Sequence, residues 1–404
     1  EVNMIGIESV KYSLRNLVAR KSRSFLTILS IFVGIATIFI FISFGYGLYD
    51  YINELAEGSS VNKILVQVKG SSAPGMDDTF KLLEGDLEAV ESTNGVLDAT
   101  GVKWKPAEVW QDDKRIYTFL ASYDPKNRMI FELSDIGIEK GRWLRKGDKG
   151  KVMLGFNYMV PDLIFPKPYK VGDKIEIQDV KMEIIGFVEE IGTPPDDAQI
   201  YITNEYIDEL YDEEVSYAMI IGEVDMKNID MVVERVEKNL RKERNLEEGK
   251  EDFSVASFQD LLETYTSVLN YVVWFIVAIA AISVLVSAVN TANTMVTSVL
   301  ERFKEIGIIK SIGARNSEIF GIFIFESAFL GFVSGILGVL VGWSISYAGG
   351  QLLASLGWAF LQPKMSIWLF IFGIVFATFT GGISGFLPAW QASKLKPVDA
   401  LRYE

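Results

Sequence analysis

Hydrophobic positions are distributed along this chain in two ways. Four long unbroken runs lie near its ends, and short alternating stretches fill the region between the first run and the second. Phe25–Leu48 holds no charged residue in 24 positions and Thr264–Leu300 none in 37, while Phe320–Leu353 holds only Glu326 and Met365–Ser393 none. Each run exceeds the roughly 20 apolar residues that carry a helix across a bilayer. Inside lipid the backbone must satisfy its own hydrogen bonds, so helices are the economical reading. The pattern predicts an α-helical membrane protein with four transmembrane helices and an α+β domain inserted between helices 1 and 2.

The insert, 49–263, breaks into short elements. Val61–Lys69 alternates Ile64, Val66 and Val68 against polar neighbours, as a half-buried strand does. Val96–Trp110, Arg115–Ala121, Lys151–Leu154, Lys174–Ile177, Met182–Val188 and Gln199–Ile202 are further strand candidates, separated by Gly, Pro and Asp. Helical patterns cover Gly85–Ser92, with Gly95 as a stop, and Met226–Arg244, which is rich in Glu and Lys. Strands dominate the middle and helices the edges, which predicts a subdomain at about 105–215 inserted into an outer one. Ser257-Phe-Gln-Asp260 has the form of a capping box and predicts a helix start. A helix from there to Leu300 would be roughly 65 Å long at 1.5 Å per residue, twice the hydrocarbon thickness. It is expected to project as a stalk joined to the inserted domain.

Charge supplies the orientation. Lys11, Arg15, Arg20, Lys21 and Arg23 precede the first span; Arg302, Lys304, Lys310 and Arg315 lie between spans two and three; Lys394, Lys396 and Arg402 follow span four. Basic residues collect on the cytoplasmic side, so both termini (1–24 and 391–404) and the 301–318 segment are expected there, with spans at 25–48, 264–300, 319–353 and 366–390. Residues 49–263 are then extracytoplasmic. That insert carries 26 basic and 45 acidic residues, a balance that argues against nucleic acid as a partner. Residues 5–24 place Val10, Leu14, Leu17 and Val18 on one face. A helix lying along the inner leaflet and a basic flank that only sets topology both fit this pattern.

Composition removes several chemistries. Without cysteine there is no disulfide, thiol nucleophile or thiolate metal site, and without histidine no imidazole base or histidine–metal cluster. The sequence contains no P-loop, no G-x-S-x-G elbow and no H-E-x-x-H helix. No catalytic, cofactor or metal residue is therefore expected in this chain. Asp112-Asp113 and Asp196-Asp197 read as solvated acidic loops rather than ligands. The first apolar run is longer than a signal-peptide core and lacks a closing cleavage pattern, so it is expected to be retained. Because the sequence begins with Glu1 rather than Met, its start is expected to be altered or truncated.

Two features stand out inside the spans. Gly331, Gly335, Gly338 and Gly342 fall on one helix face, and Gly373, Ala377, Gly381 and Gly385 recur every four residues. Such stripes let helix backbones approach closely in lipid, within one chain or against a second copy. Glu326 is the lone charge in a span. Charge in lipid is costly, so a structural role, as a carboxylate paired with a basic residue of the neighbouring loop or as a protonated carboxyl in a helix interface, is expected over a proton or substrate relay.

Glu301-Arg-Phe-Lys-Glu-Ile-Gly-Ile-Ile-Lys-Ser-Ile-Gly-Ala314, running through Glu318 into span three, resembles a signature of MacB/FtsX-like ABC transporter permeases. Pro397-Val-Asp-Ala-Leu-Arg-Tyr-Glu404 is similar to that family's ending, and Asn16 to Gly34 to its lead into span one. Within the insert, Gly141-Arg-Trp, Val171-Gly-Asp-Lys-Ile175 and Ile184-Ile-Gly-Phe-Val188 resemble the family's periplasmic core domain. The resemblance implies that the 301–318 segment seats on an ATPase, with Glu305, Gly307, Ile309, Lys310, Ile312, Gly313 and Ala314 forming or framing the contact. It implies a separate ABC ATPase subunit holding ATP and Mg, a second permease copy in a dimer, and an extracytoplasmic adaptor as a further partner. Export or extraction of substrate from the outer side is the function it implies. ATP-driven regulation of an extracellular cell-wall enzyme is the alternative.

Overall fold

The computed structural model describes residues 21–57, 62–69 and 81–398; the expected surface helix at 5–24 and the end of the tail lie largely outside them. Four helices have the length and apolar content to cross a membrane: α1 (Lys21–Glu57), then, after the inserted domain, a 44-residue helix at Phe258–Glu301, a 40-residue helix at Asn316–Ser355 and one at Ile367–Ser393. Their outward residues, such as Trp274 and Phe275 at 70% and 68% exposure, are the surface a bilayer covers.

The domain between α1 and the second span is a mixed α/β structure on one ten-stranded sheet. In chain order it comprises β1 (Lys63–Val68), α2 (Glu84–Glu91), β2 (Val96–Gln111), β3 (Lys114–Tyr123), α3 (Met129–Glu132), β4 (Ile138–Gly141) and β5 (Lys151–Leu154). There follow β6 (Lys174–Ile177), β7 (Val180–Val188), α4 (Pro194–Asp197), β8 (Ile200–Thr203), α5 (Asn204–Tyr211), β9 (Tyr217–Val224), α6 (Ile229–Glu243) and β10 (Phe253–Ser257). The sheet runs β10-β1-β9-β2-β3-β8-β5-β7-β4, with β6 against β2 and β7. Most pairs are antiparallel; β3–β8 and β5–β7 are parallel.

Packing divides this sheet into two regions. Ile64, Val66, Ile220 and Val255 of the β10-β1-β9 edge pack with Val90 of α2 and with Val232, Val236 and Leu240 of α6. A separate cluster uses Val109, Leu120, Val152, Leu154, Ile184, Ile200 and Ile202 with Ile207 of α5. Alternate residues Met153, Ile185 and Tyr201 turn to the other face, where Tyr123, Phe131 and Leu144 cover them. That two-residue alternation is the pleat itself. Residues 107–215 thus have their own core on both faces, on a sheet that is continuous with the outer strands.

Ser257 caps the long helix as its sequence predicts. The Asp260 amide donates to Ser257 Oγ at 3.0 Å and the Ser257 amide to the Asp260 carboxylate at 3.2 Å. The helices that follow are α7 (Phe258–Glu301), α8 (Phe303–Ser311), α9 (Asn316–Ser355) and α10 (Ile367–Ser393). Two compact units result. Residues 48–268 with 352–362 make the external domain, and the remaining described residues make the membrane unit.

Candidate functional site

The segment between the second and third spans folds as a short helix set apart by two breaks. At the first, Arg302 leaves helical geometry with φ −106° and ψ 17°, which separates α7 from α8. At the second, α8 closes in a Schellman turn. The Ala314 amide donates to Ile309 O at 3.2 Å and the Gly313 amide to Lys310 O at 3.1 Å. Gly313 takes φ +111°, a conformation that L side chains rarely adopt, and a Cβ there would meet nothing within 4 Å. Gly313 is required by backbone geometry rather than by a tight surrounding space.

The inward side of α8 is fastened to the membrane unit at three points. Ile306 is buried with Val299, Ile319, Phe323, Ala389 and Ala392, and Ile309 and Ala314 pack against the same cluster. The Arg302 guanidinium donates to Glu326 Oε2 at 3.1 Å and Oε1 at 3.4 Å, and both side chains are 4% exposed. Lys310 Nζ donates to the carbonyls of Ser393 and Leu395, at 2.8 and 2.6 Å, and so binds the otherwise unsatisfied C-terminal end of α10.

The face of Ile306, Ile309 and Ile312 singled out in the sequence is accordingly split. Ile306 is buried and Ile309 half-buried against the chain's own helices, while Ile312 is 82% exposed and Ile308, on the outer side of α8, 49%. Gly307 is buried, and Glu305 and Gly313 are exposed. One outward position of this segment has no marker in the sequence. It is Ile308, because an apolar run of Ile306, Ile308 and Ile309 does not reveal which side chain turns outward. Arg302 is the basic loop residue that pairs with Glu326, the partner that a lone carboxylate in a span calls for, though the sequence does not say which of the loop's cations it is.

The small-residue stripes join three spans inside one chain. A Cβ on Gly335 would lie 2.8 Å from Ala377 Cβ, one on Gly381 2.5 Å from Ser327 O, and one on Gly373 2.6 Å from a Val339 methyl. Gly331 faces Ala377 O and Gly385 faces Ser327 as closely. The stripe then passes to α1: a Cβ on Gly338 would lie 2.9 Å from Ile35 Cβ, and one on Gly342 3.0 Å from Phe39 Cβ. These contacts occupy the stripes within the chain, so they supply no free face for a second copy. Polar contacts link α1 to α7 nearby: Ser287 donates to Ser30 O at 2.7 Å and Asn290 to Ser30 Oγ at 2.9 Å.

In the external domain the Gly-Arg-Trp motif is architectural. Gly141 takes φ +86° and faces Ile185 O too closely for any side chain. Arg142 donates to both oxygens of Asp148, at 2.7 and 3.2 Å, and the Arg145 amide and Lys151 complete the cluster at 2.9 Å each. Asp196-Asp197 departs from its reading as a solvated pair. Asp197 is wholly buried and accepts from the amides of Ile191 at 2.7 Å and Gly192 at 2.9 Å. Among the described residues no cluster of three or more acidic side chains could hold a metal ion.

Comparison with known proteins follows the same division. A MacB-like periplasmic core domain matches residues 24–239, and an FtsX-like permease C-terminal region matches 277–397. The chain is 32% identical to an uncharacterised ABC transporter permease of Methanocaldococcus jannaschii over 98% of each chain. It is 26% identical to the macrolide export ATP-binding/permease protein MacB of Wolinella succinogenes, covering 90% of this chain but 56% of that longer protein. The periplasmic region of MacB from Actinobacillus actinomycetemcomitans aligns with a TM-score of 0.42 at 12% identity, over 51% of this chain and 94% of that one. The chain belongs to the MacB/FtsX-type family of ABC transporter permeases.

Proposed function

We propose that this chain is the membrane subunit that couples ATP hydrolysis, carried out with Mg by a separate ABC ATPase subunit, to mechanical motion of its external domain. The work done is export, or extraction of substrate from the outer side of the membrane; the macrolide-export name borne by relatives supports this class over a purely regulatory device. In this reading both termini and residues 301–318 face the cytoplasm, the external domain faces outward, two permease copies pair in the bilayer, and an adaptor meets the external domain.

The observation that carries the reading is the two-sidedness of α8. Its outer side presents Ile308, Ile312 and Gly313, while Arg302 and Lys310 fasten its inner side to α9 and α10. A short segment so fastened passes a push from a docked ATPase directly to two spans. Burying one large aliphatic contributes about 1.5–3 kcal/mol, roughly a 10- to 150-fold change in affinity. Ile312→Asp and Ile308→Asp are therefore expected to weaken ATPase co-purification and permease-stimulated ATP turnover by that order, with unfolding of the permease unchanged. Unaltered capture and turnover in both variants would show that α8 is not the docking element.

A further inference from the structure

The connection between α9 and α10 is folded with the external domain. Residues Leu352–Gln362 belong to that unit, whereas the chain on either side belongs to the membrane unit. α9 ends in a Schellman turn of its own: the Trp358 amide donates to Leu353 O at 2.8 Å and the Gly357 amide to Ala354 O at 2.9 Å. Gly357 is buried and takes φ +85°. Opposite it stands the turn 191–194 between β7 and β8. Asp197 holds that turn through the Ile191 and Gly192 amides, and its own amide donates to Thr193 O at 2.9 Å. Gly192 takes φ +89°.

The two turns meet backbone to backbone. The Phe360 amide donates to Gly192 O at 3.3 Å. A Cβ on Gly192 would stand 3.2 Å from Phe360 N and 3.3 Å from Ala359 Cβ, and one on Gly357 3.3 Å from Pro194 Cγ. The Phe360 ring lies 5.3 Å from that of Tyr51 and 5.8 Å from that of Trp358. Two left-handed glycines on separate segments converge on one contact, which needs both. A connection that had only to reverse direction between two spans would need no second glycine at 192 and no buried carboxylate behind it.

We propose that this connection is a strut, which carries displacement of α9 and α10 into the external domain by a route separate from α7. α7 continues directly from β10, at one edge of the sheet, whereas the strut engages the turn between β7 and β8, near the other. Attachments at separate places on one continuous sheet convert unequal movement of the spans into rotation of the sheet. The proposal rests on the mechanical reading of the transporter, and the test separates the two.

A Gly357→Cys, Pro194→Cys pair is suited to cross-linking. Its Cβ atoms would lie 3.8 Å apart, the spacing of a disulfide, and the chain has no other cysteine. In membranes holding the full chain, mild oxidation is expected to form this bond; absence of a cross-link in a double variant that unfolds at the same temperature as Pro194→Cys alone overturns the strut. In a second experiment a fluorophore on Asp113→Cys, at the exposed β2–β3 turn, reports on the permease bound to its ATPase when ATP and Mg are added. The signal change is expected in the parent and lost in Phe360→Ser, with ATP hydrolysis retained. A change that persists in full in Phe360→Ser overturns the strut and leaves the transport reading standing. No change in the parent overturns the transport reading, and the strut falls with it.

Discussion

Among the described residues of the external domain, Asp148 and Asp197 are the two carboxylates whose surroundings act most strongly on their charge, and they act in opposite senses. The Arg142 guanidinium, then Lys151 and the Arg145 amide, hold Asp148 well below the usual carboxylate range. A depressed group contributes stability above its unfolded value, near pH 4, and that contribution is lost as the pH falls through the folded value. Asp148→Asn is expected to lower stability at pH 7 by about 1.5–3 kcal/mol, the scale of a charge-assisted hydrogen bond, and to reduce the loss below pH 4. Burial pushes Asp197 up to about 6, against the two amides that favour its charge; Glu190 and Asp196 add to the rise. Its contribution is fully present below about pH 4 and lost as the pH rises through about 6. Thermal unfolding of the whole protein in detergent, compared at pH 7, pH 4.5 and pH 3, measures both: the Asp197 effect lies between the first two and the Asp148 effect between the last two. Asp197→Asn is expected to remove a stabilisation that the parent gains on acidification; an unchanged pH difference in this variant would refute that assignment. Neither environment was legible in the sequence. Arg142 stood out through its motif, but nothing marks Asp148 as its partner, and the run Pro194-Pro-Asp-Asp197 looks as a solvated turn would.

Among the elements, those with one clear period were legible and those without were not. β6 matches its sequence limits, since it is a short apolar alternation bounded by turn residues. β9 is not legible in the sequence although it lies between β1 and β2, because a strand buried on both faces, Tyr217–Val224, shows no alternation. The glycine stripes were visible as faces, but periodicity names a face and not the helix that meets it. Arg302 and Glu326 illustrate the same gap at the junction of α7, α8 and α9. Removing one partner of a buried pair leaves an uncompensated charge at a cost of about 3–5 kcal/mol, whereas replacing both by apolar side chains is often neutral. Arg302→Met and Glu326→Leu are therefore each expected to lower the unfolding temperature in detergent, and the double variant to recover most of that loss. A double variant no better than the worse single one would mean that the two residues do not act as a pair. Gly313 makes a finer test of the α8 terminus. Its left-handed backbone costs an alanine roughly 1–2 kcal/mol, so Gly313→Ala is expected to weaken ATPase capture while Gly313→Asn retains more of it.

At the scale of the whole chain, the four spans follow from hydrophobic length and the inserted α/β domain from the short alternating stretches between them, while charge gives the side on which each part is expected. The external insert carries 45 acidic against 26 basic residues, and the rest of the chain is net basic. Within the short connections between spans the contrast is sharper. Residues 301–318 hold Arg302, Lys304, Lys310 and Arg315, whereas the connection after α9 holds only Lys364. The structure qualifies this count, because Arg302 is spent on Glu326 and Lys310 on the end of α10. Lys304 and Arg315 remain exposed at the surface of the segment. Basic residues resist transfer across the bilayer during insertion whichever contacts they later make, so the bias sets orientation before folding is complete. An impermeant thiol reagent applied to intact cells is thus expected to label a cysteine at Asp113, exposed on the β2–β3 turn, and to miss one at Arg315, exposed just before α9. The chain contains no cysteine, so each variant carries a single reactive site. Labelling at Arg315 alone would invert the topology, place α8 on the side without ATP, and remove the basis for coupling through that segment.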